Sequence, residues 1–329
     1  MARIVRFHAT GGAEVLRIED IEVATPKVGE VQIEVKALGI NRAEVMYRAG
    51  QYTFEPRFPA ILGYEAAGRV RAVGEGVEGF AVGDAVSVIP AFSFSDYGMY
   101  GEVVNAPVHA VVKHPPLLSF EEAAATWMMF VTAYGALVEF GDLKAGETVL
   151  IRAASSSVGL AAIQIANLLG AVPIALTRTR EKRQALFAAG AAHVIAIDED
   201  DLVAEVMSLT RGHGARIAFD PVGGPQVSTL LSAMSLQGTY FQYGALDMRD
   251  MSVRVMDLLG KHLTLRGYEL FEITQDPVRL ERAKGFILDG INSGKLRPVI
   301  GQVFAFEDIA VAHRFMESNQ QIGKIVVTL

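Results

Sequence analysis

Between Glu147 and Gly170 the chain reads ETVLIRAASSSVGLAAIQIANLLG, and its middle holds residues that could bind a charged ligand. Thr148–Ala154 is a short apolar run of strand character. Ser155, Ser156 and Ser157 follow as a loop of small residues, and Val158-Gly159 opens a segment with apolar residues at helical spacing. A buried strand that turns through small residues into a helix offers backbone N–H groups and the positive end of the helix dipole to a phosphate. On the G-x-G-x-x-G template the glycine positions fall on Ala154, Ser156 and Gly159, so only the last keeps its glycine. Taken alone, the stretch is also compatible with a strand–turn–helix that binds nothing.

A second constellation lies where a second strand would end. Ile174-Ala-Leu-Thr177 runs into Arg178-Thr-Arg-Glu-Lys182-Arg183. A site for NAD places an acid here to bond the ribose hydroxyls. This chain has no acid at the strand end and follows it with a dense group of cations. Arginine suits bidentate phosphate contact and lysine a point contact. Thr177, Arg178 and Lys182 are therefore candidates for the 2′-phosphate of NADPH, the alternative being a solvated helix start. Cations near a helix N-terminus are disfavoured by the dipole, and a phosphate would resolve that conflict. Val222-Gly223-Gly224 and Tyr243-Gly244-Ala245 close two further strand patterns, at the carboxyl ends where α/β sheets bind ligands.

The elements that must hold these residues follow from hydrophobic period. From about Gly146, strand and helix patterns alternate through Val172–Thr177, His193–Ile197, Leu202–Leu209, Ala215–Asp220 and Gly238–Gln242, which implies parallel βαβ units and a doubly wound sheet. Leu263–Tyr268 reads as one more strand, and a long helix follows from about Pro277. Before Gly146 the texture is β: Arg3–Phe7, Glu30–Leu38, Ala66–Val73 and Ala85–Ile89 alternate and are punctuated by glycines. The tail returns to strand–helix–strand, and its last strand needs a partner sheet in the first domain. The expected division is 1–124 with 266–329, and 125–265.

Composition narrows the function. The 329 residues are 51% hydrophobic, ample for a core without staples, and the chain has no cysteine, so disulfides, thiolate metal sites and a cysteine nucleophile are excluded. A formal charge of −7 argues against nucleic acid or an anionic membrane as partner. No apolar run is long enough to span a bilayer, and Met1-Ala-Arg-Ile-Val-Arg leads into a strand pattern rather than a signal peptide, so a cytoplasmic location is expected.

Taken together, the chain resembles the medium-chain dehydrogenase/reductase superfamily, and within it the zinc-independent, zeta-crystallin-like quinone oxidoreductases. The resemblance rests on Gly39-Ile40-Asn41, Tyr47-Arg-Ala-Gly-Gln-Tyr52, Pro59-Ala-Ile-Leu-Gly63-Tyr-Glu-Ala-Ala-Gly68, Val82-Gly-Asp-Ala-Val86, Thr132-Ala-Tyr-Gly-Ala-Leu137, the Ala154–Gly159 loop, Ala189-Gly-Ala191, Phe219-Asp-Pro-Val-Gly-Gly224 and Phe304-Ala-Phe-Glu-Asp308. It covers nearly the whole length. It implies a GroES-like, mainly β catalytic domain, a Rossmann domain, a nicotinamide cofactor in the cleft between them and a homodimer, for which Leu263–Tyr268 is the candidate edge strand.

In zinc-dependent relatives a cysteine follows the Gly-Ile pair and a histidine stands in a Gly-His-Glu segment. Here those positions carry Asn41 and Tyr64, poor zinc ligands. The seven histidines show neither H-x-E nor H-E-x-x-H spacing, so no metal is expected. Glu65 keeps the acidic position of the zinc enzymes. A quinone or α,β-unsaturated carbonyl delocalises an incoming hydride onto its own oxygen, so it needs positioning and a hydrogen bond rather than a Lewis acid. The resemblance places Asn41 and Tyr52 in that pocket, and Tyr64 is added as a polariser or proton donor. It also implies cofactor contacts at Asn41, Thr132, Ser155, Ser156, Ser157, Val158, Gly159, Tyr243, Gly244, Ala245 and Lys324. Relatives usually carry glycines where Ser156 and Ser157 stand. The leading expectation is an NADPH-dependent quinone or enone reductase. The alternatives are an enoyl-thioester reductase, a non-catalytic NADPH-binding protein and an alcohol dehydrogenase that recruits zinc elsewhere.

Overall fold

The computed structural model describes residues 1–329, which form two compact units, Met1–Met128 with Arg297–Leu329, and Met129–Leu296. The first unit is built on Glu30–Ile40, whose alternating valines and isoleucines are buried. This strand pairs antiparallel with Glu65–Val73, Val103–Pro107 and the C-terminal strand Lys324–Thr328. The resulting sheet has seven strands, and Arg17–Ile21, Ala2–Phe7 and Ala60–Ile61 form a separate three-stranded sheet. The strand Glu30–Ile40 ends on Asn41, which caps the helix Arg42–Arg48 in a reciprocal capping box with Glu44.

The second unit is a six-stranded parallel sheet. Its order is His193–Ala196, Val172–Thr177, Thr148–Ile151, Ala215–Asp220, Met234–Gln242, Thr264–Gly267. Numbered within the unit this is 3-2-1-4-5-6, the doubly wound order whose switch point lies between Thr148–Ile151 and Ala215–Asp220. Strands covered on both faces read as continuous apolar runs, as Thr148–Ile151 and Val172–Thr177 do. Leu202, Val206, Leu230 and Leu231 from the helices Leu202–Leu209 and Val227–Ser232 pack on Leu150, Ile174 and Leu176.

Two expectations are adjusted. The first parallel strand ends at Ile151 rather than Ala154, because Ala153 takes a left-handed φ of 50° and turns the chain out of the sheet. The unit boundaries fall at Met128/Met129 and Leu296/Arg297 rather than 124/125 and 265/266. Glu65 accepts the Met128 N–H and Ser87 accepts the Trp127 indole, which keep that segment in the first unit. Thr264–Gly267 is the sixth parallel strand and the helix Pro277–Asn292 follows it within the second unit, so the chain re-enters the first only at Arg297.

Candidate functional site

In the second unit the loop after Thr148–Ile151 enters the helix Ser157–Leu168 through Ser156. The Ser156 hydroxyl caps the helix by accepting the Gly159 N–H at 3.1 Å. Gly159 is required there, since a Cβ would sit 2.6 Å from the Ala154 carbonyl oxygen. Ser155, Ser157 and Val158 complete the turn at the helix N-terminus, which favours an anion.

The cationic turn after Val172–Thr177 reaches this loop directly. Lys182 Nζ donates to Ser155 Oγ at 3.2 Å. Partial burial, and then the neighbouring Arg178 charge, push the Lys182 ammonium below its ordinary value. An anion here would relieve both effects. Arg180 points elsewhere, into ion pairs with Asp200 and Glu199. Thr177 closes its strand, its carbonyl accepting the Ile197 N–H at 2.8 Å. A cavity of about 190 Å³ opens beside it, lined by Leu176, Ile197, Leu202, Leu230, Arg152 and Gln226, among others.

At the same carboxyl edge of the sheet, the Tyr243 ring stacks on Phe219 with centroids 3.9 Å apart. Burial, and then the Asp220 charge, hold its phenol protonated far above the ordinary range, with the Ser156 side chain nearby pulling the other way. Gly244 passes so close to Pro221 that a Cβ would meet its carbonyl oxygen at 2.7 Å. Tyr243 thus lies near Ser156, and Thr132 is buried in the helix Trp127–Tyr134.

In the first unit, Asn41, Glu44, Glu65 and Lys324 form one buried polar cluster. Asn41 Nδ2 donates to Glu44 at 3.1 Å and Glu65 at 3.2 Å, and its Oδ1 accepts from Lys324 Nζ at 2.5 Å. Lys324 also pairs with Glu65, both side chains being fully buried. Lys324 is thus committed to the interior rather than offered to a ligand, because an ammonium taken out of water must be neutralised by its neighbours.

Glu44 gathers four donors: the N–H groups of Asn41 and Tyr64, Asn41 Nδ2 and the Tyr100 hydroxyl. Burial nevertheless raises its carboxyl to about 7 against the pull of those bonds. The hydroxyls of Tyr52 and Tyr64 lie 3.3 Å apart. Tyr64 is fully buried, its ring stacked on Phe94 with centroids 3.7 Å apart, while Tyr52 is only half-buried. Of the two, Tyr52 is the more exposed residue.

Sequence reasoning passed over Glu44, Arg152 and Asp220. Each had a signal: Asn41-x-x-Glu44 is a capping-box spacing, and Arg152 and Asp220 are charges at the ends of apolar strand patterns.

A doubly wound sheet whose first βα turn opens a helix through Ser156, carried in one chain with a β-rich unit re-entered by the C-terminal strand, is the architecture of dehydrogenase-type oxidoreductases. Residues 27–116 match the alcohol dehydrogenase GroES-like domain, and residues 157–279 match the family of zinc-binding dehydrogenases. The chain is 32% identical to the quinone oxidoreductase of Lama guanicoe over 331 residues, covering 100% of this chain and 98% of that protein. The Escherichia coli quinone oxidoreductase complexed with NADPH superposes with a TM-score of 0.90 at 31% identity, over 99% of this chain and 100% of that one. A mycobacterial protein complexed with NADPH gives 0.91 at 30% identity, over 100% of both chains. The chain belongs to the medium-chain dehydrogenase/reductase superfamily, in its quinone oxidoreductase branch, and is an oxidoreductase of that type.

Proposed function

We propose that this protein uses NADPH to reduce quinones or activated α,β-unsaturated carbonyls without zinc. The observation that carries the cofactor reading is the Lys182–Ser155 contact, which puts the cationic turn and the helix N-terminus side by side in one unit. The NADPH complexes of the Escherichia coli and mycobacterial relatives support it.

The residues present fit the cofactor. Ser155–Gly159 would take the pyrophosphate, and Thr177, Arg178 and Lys182 the 2′-phosphate. Tyr243, Gly244 and Ala245 lie at a strand end suited to the nicotinamide half. When bound, NADPH supplies a hydride from its nicotinamide ring. The chain's own work is to orient the acceptor, exclude water and place a proton. Tyr52 donates to the acceptor oxygen, with Tyr64 holding its hydroxyl. Asn41 would hold the nicotinamide ribose or the acceptor oxygen.

The side chains where zinc-dependent relatives hold their metal support the zinc-free reading: Asn41 is tied into its cluster and the Tyr64 hydroxyl faces Tyr52, and amide and phenol are poor zinc ligands. The proposal includes a cytoplasmic homodimer. No helix is long and apolar enough to cross a membrane. Thr264–Gly267 lies at the edge of its sheet, and the adjoining helix Val255–Lys261 exposes Val255, Met256 and Leu259.

The test is to strip the protein of metal and follow reduced-nicotinamide absorbance with benzoquinone. Turnover with NADPH well above NADH is expected. Turnover that appears only when zinc is restored would overturn the zinc-free reading. Tight NADPH binding without turnover of any quinone or enone would move the assignment to an enoyl thioester or a binding role.

A further inference from the structure

Arg152 and Asp220 face each other across the switch point of the parallel sheet. Arg152 is the first residue beyond Thr148–Ile151 and Asp220 is the last of Ala215–Asp220, and these strands are neighbours. The crevice outside such a point is where open α/β sheets bind ligands. Both side chains are buried, with Nη1 and Oδ2 2.9 Å apart. A buried ion pair contributes little net stability beside an apolar pair of the same shape, so stability alone does not account for it.

The guanidinium does more than neutralise Asp220. Nη1 also donates to the Gly223 carbonyl at 2.9 Å, and Nη2 donates to Gln226 Oε1 at 2.6 Å. Asp220 Oδ1 accepts the Val222 N–H at 2.7 Å, and the Tyr240 hydroxyl lies 2.8 Å from Oδ2. Tyr240 also touches Gln242, whose Nε2 donates to the Gly244 carbonyl at 2.6 Å. Two backbone bonds zip the loops together, Leu246 N–H to the Pro221 carbonyl at 3.1 Å and Asp247 N–H to the Val222 carbonyl at 2.9 Å. A continuous hydrogen-bonded network thus runs from Arg152 to the loop 243–247, where the Arg152 charge also acts on Asp247.

We propose that Arg152 is a positioning residue that fixes the loops 221–224 and 243–247 as one rigid floor for the nicotinamide half of the cofactor. Its placement under the nicotinamide rests on the proposed function, whereas the coupling of the two loops stands without a cofactor. Arginine is needed because three acceptors from different places are met at once; lysine, a point charge, would serve Asp220 and release Gly223 and Gln226. The effect falls on orientation, which governs the rate of transfer more than affinity.

The test uses the full chain as Arg152→Lys and Arg152→Gln. Hydrogen–deuterium exchange on the cofactor-free protein is expected to quicken in both loops, roughly tenfold as for the loss of about 1.4 kcal/mol, with the Ser155–Gly159 turn unchanged. NADPH affinity should stay within about threefold, while kcat with benzoquinone falls at least about tenfold and the isotope effect with deuterated NADPH rises. Faster exchange in 221–224 alone, or parallel losses of affinity and kcat, would overturn the proposal. Should Arg152→Gln not fold, Gln242→Ala cuts the network at its other end. It should loosen 243–247 and leave 221–224 protected, and unchanged exchange in 243–247 would refute the coupling. If the parent fails to oxidise NADPH with any quinone, the proposed function falls while the exchange result still decides the coupling.

Discussion

Lys182 donates to Ser155 across the gap between the second and first parallel strands of the second unit. That contact joins the two cofactor constellations, which stand more than twenty positions apart in the chain. Hydrogen bonds to charged groups contribute about 1.5–3 kcal/mol each, so Lys182→Ala is expected to weaken NADPH binding roughly 10- to 100-fold. NADH, which lacks the 2′-phosphate, should change by no more than about threefold. Calorimetric titration of both cofactors checks this, and equal losses for the two would remove Lys182 from the phosphate.

Glu44 and His313 are joined through Tyr100, whose hydroxyl lies 2.6 Å from Glu44 and 3.2 Å from His313 Nε2. Burial raises Glu44 to about 7 from a model-peptide value near 4.5, so the folded chain holds a proton that the unfolded chain has lost. Its contribution is complete below about pH 4.5 and is lost as pH rises through about 7. His313 runs the other way. Burial, and then the Arg48 charge, lower it to about 3, so its contribution is present above about pH 6.5 and is lost on acidification. Between about pH 4.5 and 6.5 the two slopes, each about 1.4 kcal/mol per pH unit, oppose one another. Glu44→Gln should therefore lose stability as pH falls through that window, and His313→Gln should gain it. Urea midpoints measured across pH would show it; identical profiles for parent and variants would sink the account.

Much of the fold was legible because its signals are local. Strand–helix alternation after Gly146, the helix opening at Gly159 and the cations after Thr177 all lie within short windows, and each element formed near its expected place. The interior charges were not legible in the same way. Lys324 meets Asn41 from 283 positions away and Arg152 meets Asp220 from 68 away, so neither partner is visible in any periodic pattern. A lysine before a terminal strand looks available to a ligand until the antiparallel pairing with Glu30–Ile40 carries it beside Glu65. Likewise the sequence shows Tyr52 and Tyr64 as equals. Only the folded packing, in which Tyr64 stacks on Phe94 and is fully buried while Tyr52 stays half-buried, separates the two.

The edge of the parallel sheet carries a prediction about assembly. Thr264–Gly267 pairs on one side only, with Met234–Gln242, and the preceding helix exposes Met256 and Leu259 at 75% and 62%. An unpaired edge beside exposed apolar side chains is a template for a second copy. Light scattering of the parent should give the mass of a dimer, and Met256→Lys with Leu259→Lys should shift it towards the monomer. A monomeric parent would end the homodimer proposal.

The pairing of Tyr52 with Tyr64 predicts an order of effects that depends on the acceptor. Reducing a quinone leaves an anion that aromatic delocalisation already stabilises, whereas reducing an enone leaves an enolate that needs a proton or a strong hydrogen bond. Positioned proton donors contribute about 100- to 10,000-fold where the proton is required. Tyr52→Phe is therefore expected to lower kcat for an enone by about 100-fold or more, and for benzoquinone by no more than about tenfold. Tyr64→Phe keeps the ring against Phe94 and removes only the hydroxyl 3.3 Å from Tyr52, so it should cost about a tenth as much as Tyr52→Phe with either acceptor. Parallel steady-state kinetics on both acceptors decide the matter. If Tyr64→Phe proved the more damaging of the two, the buried hydroxyl would be the donor and Phe94 would have to move aside for the acceptor to reach it.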